Sequence, residues 1–296
     1  MQTAIDDPVA LVRRFNRTVT QRVGALQDRY LARDRPLGEA RVLWEIGPSG
    51  NDVRVLRARL DLDSGYLSRL LRALEAAGLV EVVPNELDGR VRTARLTEAG
   101  AAERAVLDRR SDELAASLLS PLTVSQRERL VGAMKEVERL LTAGLVVIDV
   151  LDPEHPHVRH CLHEYYTELD RRFDTGFDAA ATLPIAVDDV RPPAGLFLVA
   201  TLHGEPVGCG ALKFHGPDPT ELKRMWVAPS VRGTGLGRRL LGELEARAVA
   251  LGSHAVRLDT NRALVEAIAM YRAAGYREVG PFNDEPYADH WFEKQL

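Results

Sequence analysis

Only two cysteines occur in 296 residues, Cys161 and Cys209, far apart and without the spacing of a metal site. That excludes a disulfide-stapled scaffold and a zinc finger, and both are expected as free thiols in a reducing compartment. No apolar run approaches the length of a membrane span, and the opening MQTAIDDPVALVRRF lacks the basic-then-apolar pattern of a secretion signal. A cytoplasmic protein with no membrane partner is expected. Lysine is also missing from the first 134 residues, where every basic side chain is arginine. Arginine suits bidentate contacts to phosphate and guanine, although a GC-rich coding sequence produces the same bias.

The remaining composition, 45% hydrophobic and 28% charged, is that of a soluble globular chain, and the length suits two domains. Residues 1–142 hold 23 Lys+Arg against 21 Asp+Glu, and residues 143–296 hold 16 against 22, so neither half is strongly basic. Four of the eight histidines fall in PEHPHVRHCLHEYY, at His155, His157, His160 and His163. With no partner cluster elsewhere, a surface or substrate-side patch is expected there and no metal.

The chemistry concentrates in ELKRMWVAPSVRGTGLGRRLLGELEARA, Glu221 to Ala248. Leu222 to Val227 reads as a strand, and Leu240, Leu241, Leu244 and Ala248 return at helical spacing, so a glycine-rich turn joins strand to helix. Gly233, Gly235 and Gly237 leave the first amides of that helix bare, and Arg232 and Arg238 flank them with positive charge. Such a turn accepts phosphate. It lacks the Lys-Ser or Lys-Thr pair of a triphosphate loop, and its glycines run G-x-G-x-G rather than G-x-G-x-x-G. What remains, R-x-x-G-x-G after M-W-V-A-P, followed by LDTN and AIAMYRAAGYREVG, resembles the GCN5-related N-acetyltransferases (GNAT).

That resemblance implies an α+β domain with a mixed, mostly antiparallel sheet over residues 144–296, acetyl-CoA as co-substrate, and direct transfer of acetyl to an amine acceptor. It implies cofactor contacts from Met225, Trp226, Val227, Arg232, Gly233, Thr234, Gly235, Leu236, Gly237 and Arg238, and from Asn261, which can also cap the helix at Leu264. Pantetheine is expected along the Met225 to Val227 main chain, with an amide near Val227 as oxyanion donor. Tyr271 is the expected acid for the departing thiolate and Glu221 the candidate base. Asp284, Glu285, Tyr287 and Asp289 in the tail can bind a cationic amine. The loop-rich segment 175–195 is expected to close over the acceptor.

The first half reads as helices. Apolar positions from Pro8 to about Tyr30 recur every three or four residues, Gly38–Ile46 follows, and Asp52 is the expected N-cap of a brief helix through Arg59. DLDSGYLSRLLRALEAA then reads as the turn and second helix of a helix-turn-helix, with Ser64, Tyr66, Ser68, Arg69 and Arg72 on its outer face. The runs LVEVV and RVRTARL bracket PNELDG as a hairpin, carrying Arg90 and Arg92. Thr97 and Ser125 are expected helix caps, Ser125 with Glu128 as a capping box.

This order, with the D-G-R hairpin tip and LTEAG, resembles the MarR-type winged-helix regulators over residues 1–143. The resemblance implies a mainly α domain that binds a double-stranded DNA operator through Ser64, Tyr66, Ser68, Arg69, Arg72, Arg90 and Arg92. It also implies a homodimer formed through the terminal helices. The whole reads as a DNA-binding regulator fused to an acetyltransferase. Two other arrangements fit the same motifs: a regulator whose second domain senses acetyl-CoA or an amine without turnover, and an acetyltransferase whose first domain only dimerises.

Overall fold

The computed structural model describes residues 7–26, 29–85, 91–183 and 186–296. The chain divides into two compact units, one ending at Gly132 and one running from Ala133 to Leu296, and each is described by itself.

The first unit opens with α1 (Pro8–Arg22), started by Asp7, whose carboxylate accepts from the Val9 amide at 3.1 Å, and by a proline in its first turn. Its apolar periodicity continues to Tyr30, but the helix stops at Arg22 because Gly24 takes φ 70°. Next come α2 (Leu37–Ile46), β1 (Asn51–Asp52), α3 (Val53–Leu60) and α4 (Ser64–Ala76). Both α3 and α4 are capped by aspartates: Asp52 accepts from Arg54 N at 2.7 Å, and Asp63 from Tyr66 N at 2.8 Å. Between them Asp61 sits at φ 49°, the left-handed corner of the helix-turn-helix. Strands β2 (Val80–Pro84) and β3 (Arg92–Leu96) form the antiparallel hairpin, with β1 added on the β3 side.

Leu43, Ile46, Leu56, Leu67 and Leu74 are fully buried where α2, α3 and α4 meet. Helix α5 (Glu98–Leu119) starts at Thr97, which accepts from Gly100 N at 3.0 Å. Helix α6 (Val124–Gly144) contains the division between the units. Its capping box is Thr123 with Gln126, whose Oε1 accepts from the Thr123 amide at 2.9 Å, two residues earlier than Ser125 and Glu128. Both pairs satisfy the same four-residue pattern, so spacing alone could not choose between them.

The second unit follows α6 with β4 (Val147–Leu151), α7 (Pro156–Arg172), β5 (Gly195–Leu202), β6 (Glu205–His215) and β7 (Asp218–Val227). Then come α8 (Leu236–Ala250), β8 (Ala255–Thr260), α9 (Val265–Ala273), β9 (Arg277–Val279) and β10 (His290–Gln295). The strands make one sheet in the order β4-β5-β6-β7-β8-β10-β9, antiparallel throughout except where β7 runs parallel to β8. Strand alternation divides the core. Leu196, Leu198, Leu212 and Leu222 join Leu240, Leu241 and Leu244 of α8 and Tyr271 of α9, while Phe197, Val199, Cys209 and Trp226 join Val158 and Cys161 of α7. Each such leucine contributes about 1.5–3 kcal/mol by leaving water. Cys161 and Cys209 are both buried free thiols.

Two irregularities prepare the site. The parallel pairing of β7 with β8 is confined to Thr220 with Val256 and Glu221 with Arg257, so past Glu221 the two strands diverge. On the other edge of β7 the register with β6 slips between Cys209 opposite Trp226 and Ala211 opposite Lys223. Arg224 and Met225 thus face Gly210 across a bulge, and Arg224 adopts φ 57°, a left-handed conformation that costs a non-glycine residue about 1–2 kcal/mol.

Candidate functional site

Where β7 leaves β8, two cavities open in the second unit, of about 500 and 300 Å³. They share Tyr165, Leu169, Met225, Leu264, Ala267 and Tyr271 in their walls, so they meet beneath the gap between the strands.

The larger cavity ends at the glycine turn. Gly233 and Gly235 hold φ 78° and 89°, and a Cβ on either would meet nothing within 4 Å, so the backbone angle rather than crowding calls for glycine. No side chain caps α8 at Gly235. Arg239 N bonds Gly235 O at 3.0 Å, but the amides of Gly237 and Arg238 have no carbonyl partner among the described residues. They face the same cavity as the exposed Arg238, which has no carboxylate partner among the described residues. Bare amides at a helix start beside a free guanidinium suit a diphosphate.

The other expected residues of the turn do different work. Arg232 donates from Nε to Val227 O at 3.0 Å and pairs with Glu168, which also accepts from Trp226 Nε1 at 3.0 Å and from Arg172 at 3.2 Å. Burial pushes the Glu168 carboxyl up, but Arg232 and its other donors hold it below the ordinary carboxylate range. Arg232 therefore braces the turn to α7. Thr234 bonds back to Val231 O at 2.7 Å, and Leu236 is buried beneath the turn. Arg139, 94 residues away in sequence and outside any motif, donates to Gly233 O at 2.5 Å and lines the cavity with Arg172, Arg232 and Arg238. Against those four arginines stand Glu168 and Glu266, leaving the cavity positive.

Tyr271 is buried at the junction, its hydroxyl 3.8 Å from Met225 Sδ. Burial raises its pKa well above that of a free phenol, so it keeps its proton at neutral pH. Tyr165 beside it is raised in the same way, with Arg224 offsetting only part of the effect.

The smaller cavity contains Glu221 and Asn261. Glu221 is the hub of a charged cluster: Arg257 bonds it at 2.8 Å, Lys223 lies 3.4 Å away and His215 3.5 Å away. Burial acts to raise its pKa, yet Lys223, Arg257 and His215 bring it below the usual value. Asn261 lines this cavity rather than the glycine-rich one, donating to Tyr287 O at 2.8 Å and accepting from Ala263 N at 2.9 Å. Phe173, Phe177 and Tyr287 form an aromatic wall, with the Phe177 and Tyr287 centroids 4.8 Å apart. Glu285, Tyr287 and Asn283 from the tail complete it. Among the described residues no three His, Cys, Asp or Glu side chains come together to hold a metal ion. His155 caps α7, its Nδ1 accepting from His157 N at 3.1 Å.

In the first unit, Ser64, Tyr66, Ser68, Arg69 and Arg72 are exposed along α4, and Arg92 is exposed on β3. Arg90 lies outside the described residues. The Arg69 guanidinium rests over the Tyr66 ring at 5.5 Å, and Arg72 Nε bonds Ser68 O at 3.1 Å.

Comparison with known proteins places both halves. The family described as the acetyltransferase (GNAT) family matches residues 155–276, and the MarR family matches residues 34–91. An IAA acetyltransferase of Azospirillum brasilense is 38% identical over 121 residues, covering 40% of this chain and 78% of that protein. The N-acetylaspartate synthetase of Homo sapiens is 37% identical over 92 residues, 31% of this chain and 30% of that protein. Among solved structures, a GNAT-family acetyltransferase from Staphylococcus aureus aligns over 51% of this chain and 99% of its own, at 18% identity and a TM-score of 0.44.

Proposed function

Since this chain belongs to the GNAT acetyltransferase family and carries a MarR family region ahead of that domain, we propose that it moves the acetyl group of acetyl-CoA to an amine and binds double-stranded DNA through its first unit. The observation that carries the transferase reading is the meeting of two cavities at Met225, Tyr165 and Tyr271, with a bare helix start at the far end of one. Acetyl-CoA supplies the activated thioester when bound. The amides of Gly237 and Arg238, with the Arg238 side chain, hold its diphosphate, and the open edge of Met225 to Val227 lines the pantetheine arm. An amide near Val227 polarises the thioester carbonyl in the gap beside β8.

Held together, the reactants need no covalent enzyme intermediate. The amine nitrogen bonds the acetyl carbon, the carbon–sulfur bond breaks, the amine's proton leaves through water, and Tyr271 protonates the departing sulfur. Glu221, clamped by Arg257 and Lys223, anchors Lys223 at the cavity rather than abstracting the proton. The test is thiol release from acetyl-CoA over a panel of amines. Release that needs an amine, with acetyl-CoA raising the unfolding temperature, supports the reading; no release and no thermal protection rejects it.

A further inference from the structure

The smaller cavity holds two charges with no opposite charge in ion-pair distance among the described residues. Lys213 is tied to Asp189 at 2.9 Å, Lys223 to Asp259 at 2.5 Å, and Glu221 to Arg257 at 2.8 Å. Arg224 and Glu285 stand outside this network, and among the described residues neither lies within ion-pair distance of an opposite charge. The Arg224 guanidinium lies 5.5 Å over the Tyr166 ring, and Glu285 Oε2 accepts only neutral donors, Thr182 Oγ1 at 2.7 Å and Leu183 N at 3.0 Å. Both side chains line the cavity.

Arg224 is held there by an unfavourable backbone. It sits in the β7 bulge at φ 57°, a conformation that persists only where surrounding structure imposes it and that re-aims a side chain relative to the plain strand. The aromatic wall of Phe173, Phe177 and Tyr287 lines the same cavity. A cavity of about 300 Å³ with one free cation, one free anion and an aromatic wall is complementary to a small zwitterion with an apolar side chain. A polycationic acceptor would need several unpaired carboxylates, and among the described lining residues Glu285 alone qualifies.

We propose that the acceptor is an amine carrying a carboxylate, an apolar or aromatic amino acid, whose carboxylate is taken by the fork of Arg224 and whose ammonium is drawn in by Glu285. This rests on the acetyltransferase reading and adds its substrate class, with Arg224 as the specificity-determining residue.

The test is calorimetric titration of the CoA-loaded full-length chain with L-phenylalanine against 2-phenylethylamine, and with L-leucine against 3-methylbutylamine. Wild type, Arg224→Gln and Arg224→Lys are compared, with thermal unfolding as the check on folding. Each amino acid is expected to bind the wild type at least about 10-fold more tightly than its decarboxylated partner, as for a charged hydrogen bond. The preference is expected to vanish in Arg224→Gln and to return largely in Arg224→Lys. Equal or tighter binding of the decarboxylated amines, no binding of either amino acid, or a preference that survives Arg224→Gln overturns the proposal. Carboxylate-dependent binding without thiol release rejects the transferase reading and supports the anion site; thiol release indifferent to the carboxylate does the reverse.

Discussion

Tyr271 offers the most direct test at the scale of single residues. Its hydroxyl bonds Met225 Sδ at 3.8 Å and its pKa is pushed up by burial, so Tyr271→Phe removes a proton donor at small packing cost. The kcat is expected to fall about 100-fold or more with acetyl-CoA affinity unchanged in calorimetry. Gly235→Ala should instead lower stability by about 1–2 kcal/mol, read from chemical denaturation, because alanine at φ 89° bears that backbone cost while its Cβ would meet nothing. Glu221→Gln is expected to leave the acid limb of the pH profile of kcat/KM where it was, since the wild-type carboxylate is already held below its usual range; a displaced limb would make Glu221 the base after all. The glycine turn and Tyr271 can be singled out in the sequence because each lies within one turn or one helix, where spacing carries geometry, although Thr234 and Leu236 turn out to bond or bury within the turn itself. Arg139, Tyr165 and Arg224 were not legible, because distant packing and a bulged register bring them to the cavities.

At the scale of elements, close approach of backbones sets what can vary. A Cβ at Gly100, in the first turn of α5, would lie 1.9 Å from Leu79 O, which also accepts from Thr97 N at 3.0 Å. Gly100→Ala is therefore expected to destabilise the first unit by about 1–3 kcal/mol, read from chemical denaturation. The same helix carries Glu103, buried and bonded by Arg33 and Arg35, with Arg33 the main cause of a lowered pKa. A carboxylate depressed in the fold contributes stability that is full above its unfolded value, about 4.3, and is lost as pH falls through the folded value. Glu103→Gln should flatten that acid-side loss in thermal melts. The helices of the helix-turn-helix and the strand, turn and helix around Gly235 were legible because apolar periodicity tracks burial there; β1 was not, since two residues carry no period. The end of α1 was not, since its apolar stripe runs on past Gly24, and the cap of α6 was not, since two overlapping patterns compete.

Over the whole molecule, several large apolar side chains of the described residues are exposed on two helices. Val9, Val12 and Phe15 are exposed on α1, which buries no residue, and Val124 and Val131 are exposed on α6. The proposed homodimer would cover these stripes, and sedimentation should give a dimer that Phe15→Glu dissociates. If the proposed DNA contacts include Arg69, Arg72 and Arg92, binding should weaken steeply with salt, and Arg69→Ala should lower the slope by about one. The bond from Arg139 to Gly233, with Arg239 donating to Ala143 O at 3.2 Å, bears on how the chain can be cut. A fragment begun at 144 would lose Arg139 from its glycine turn and the Ala143 acceptor of Arg239, which keeps only its bond to Val146 O at 2.9 Å. One begun at 133 would retain them, so truncation at the more obvious seam would deliver a catalyst with a slack cofactor grip and invite the false conclusion that the winged helix activates it.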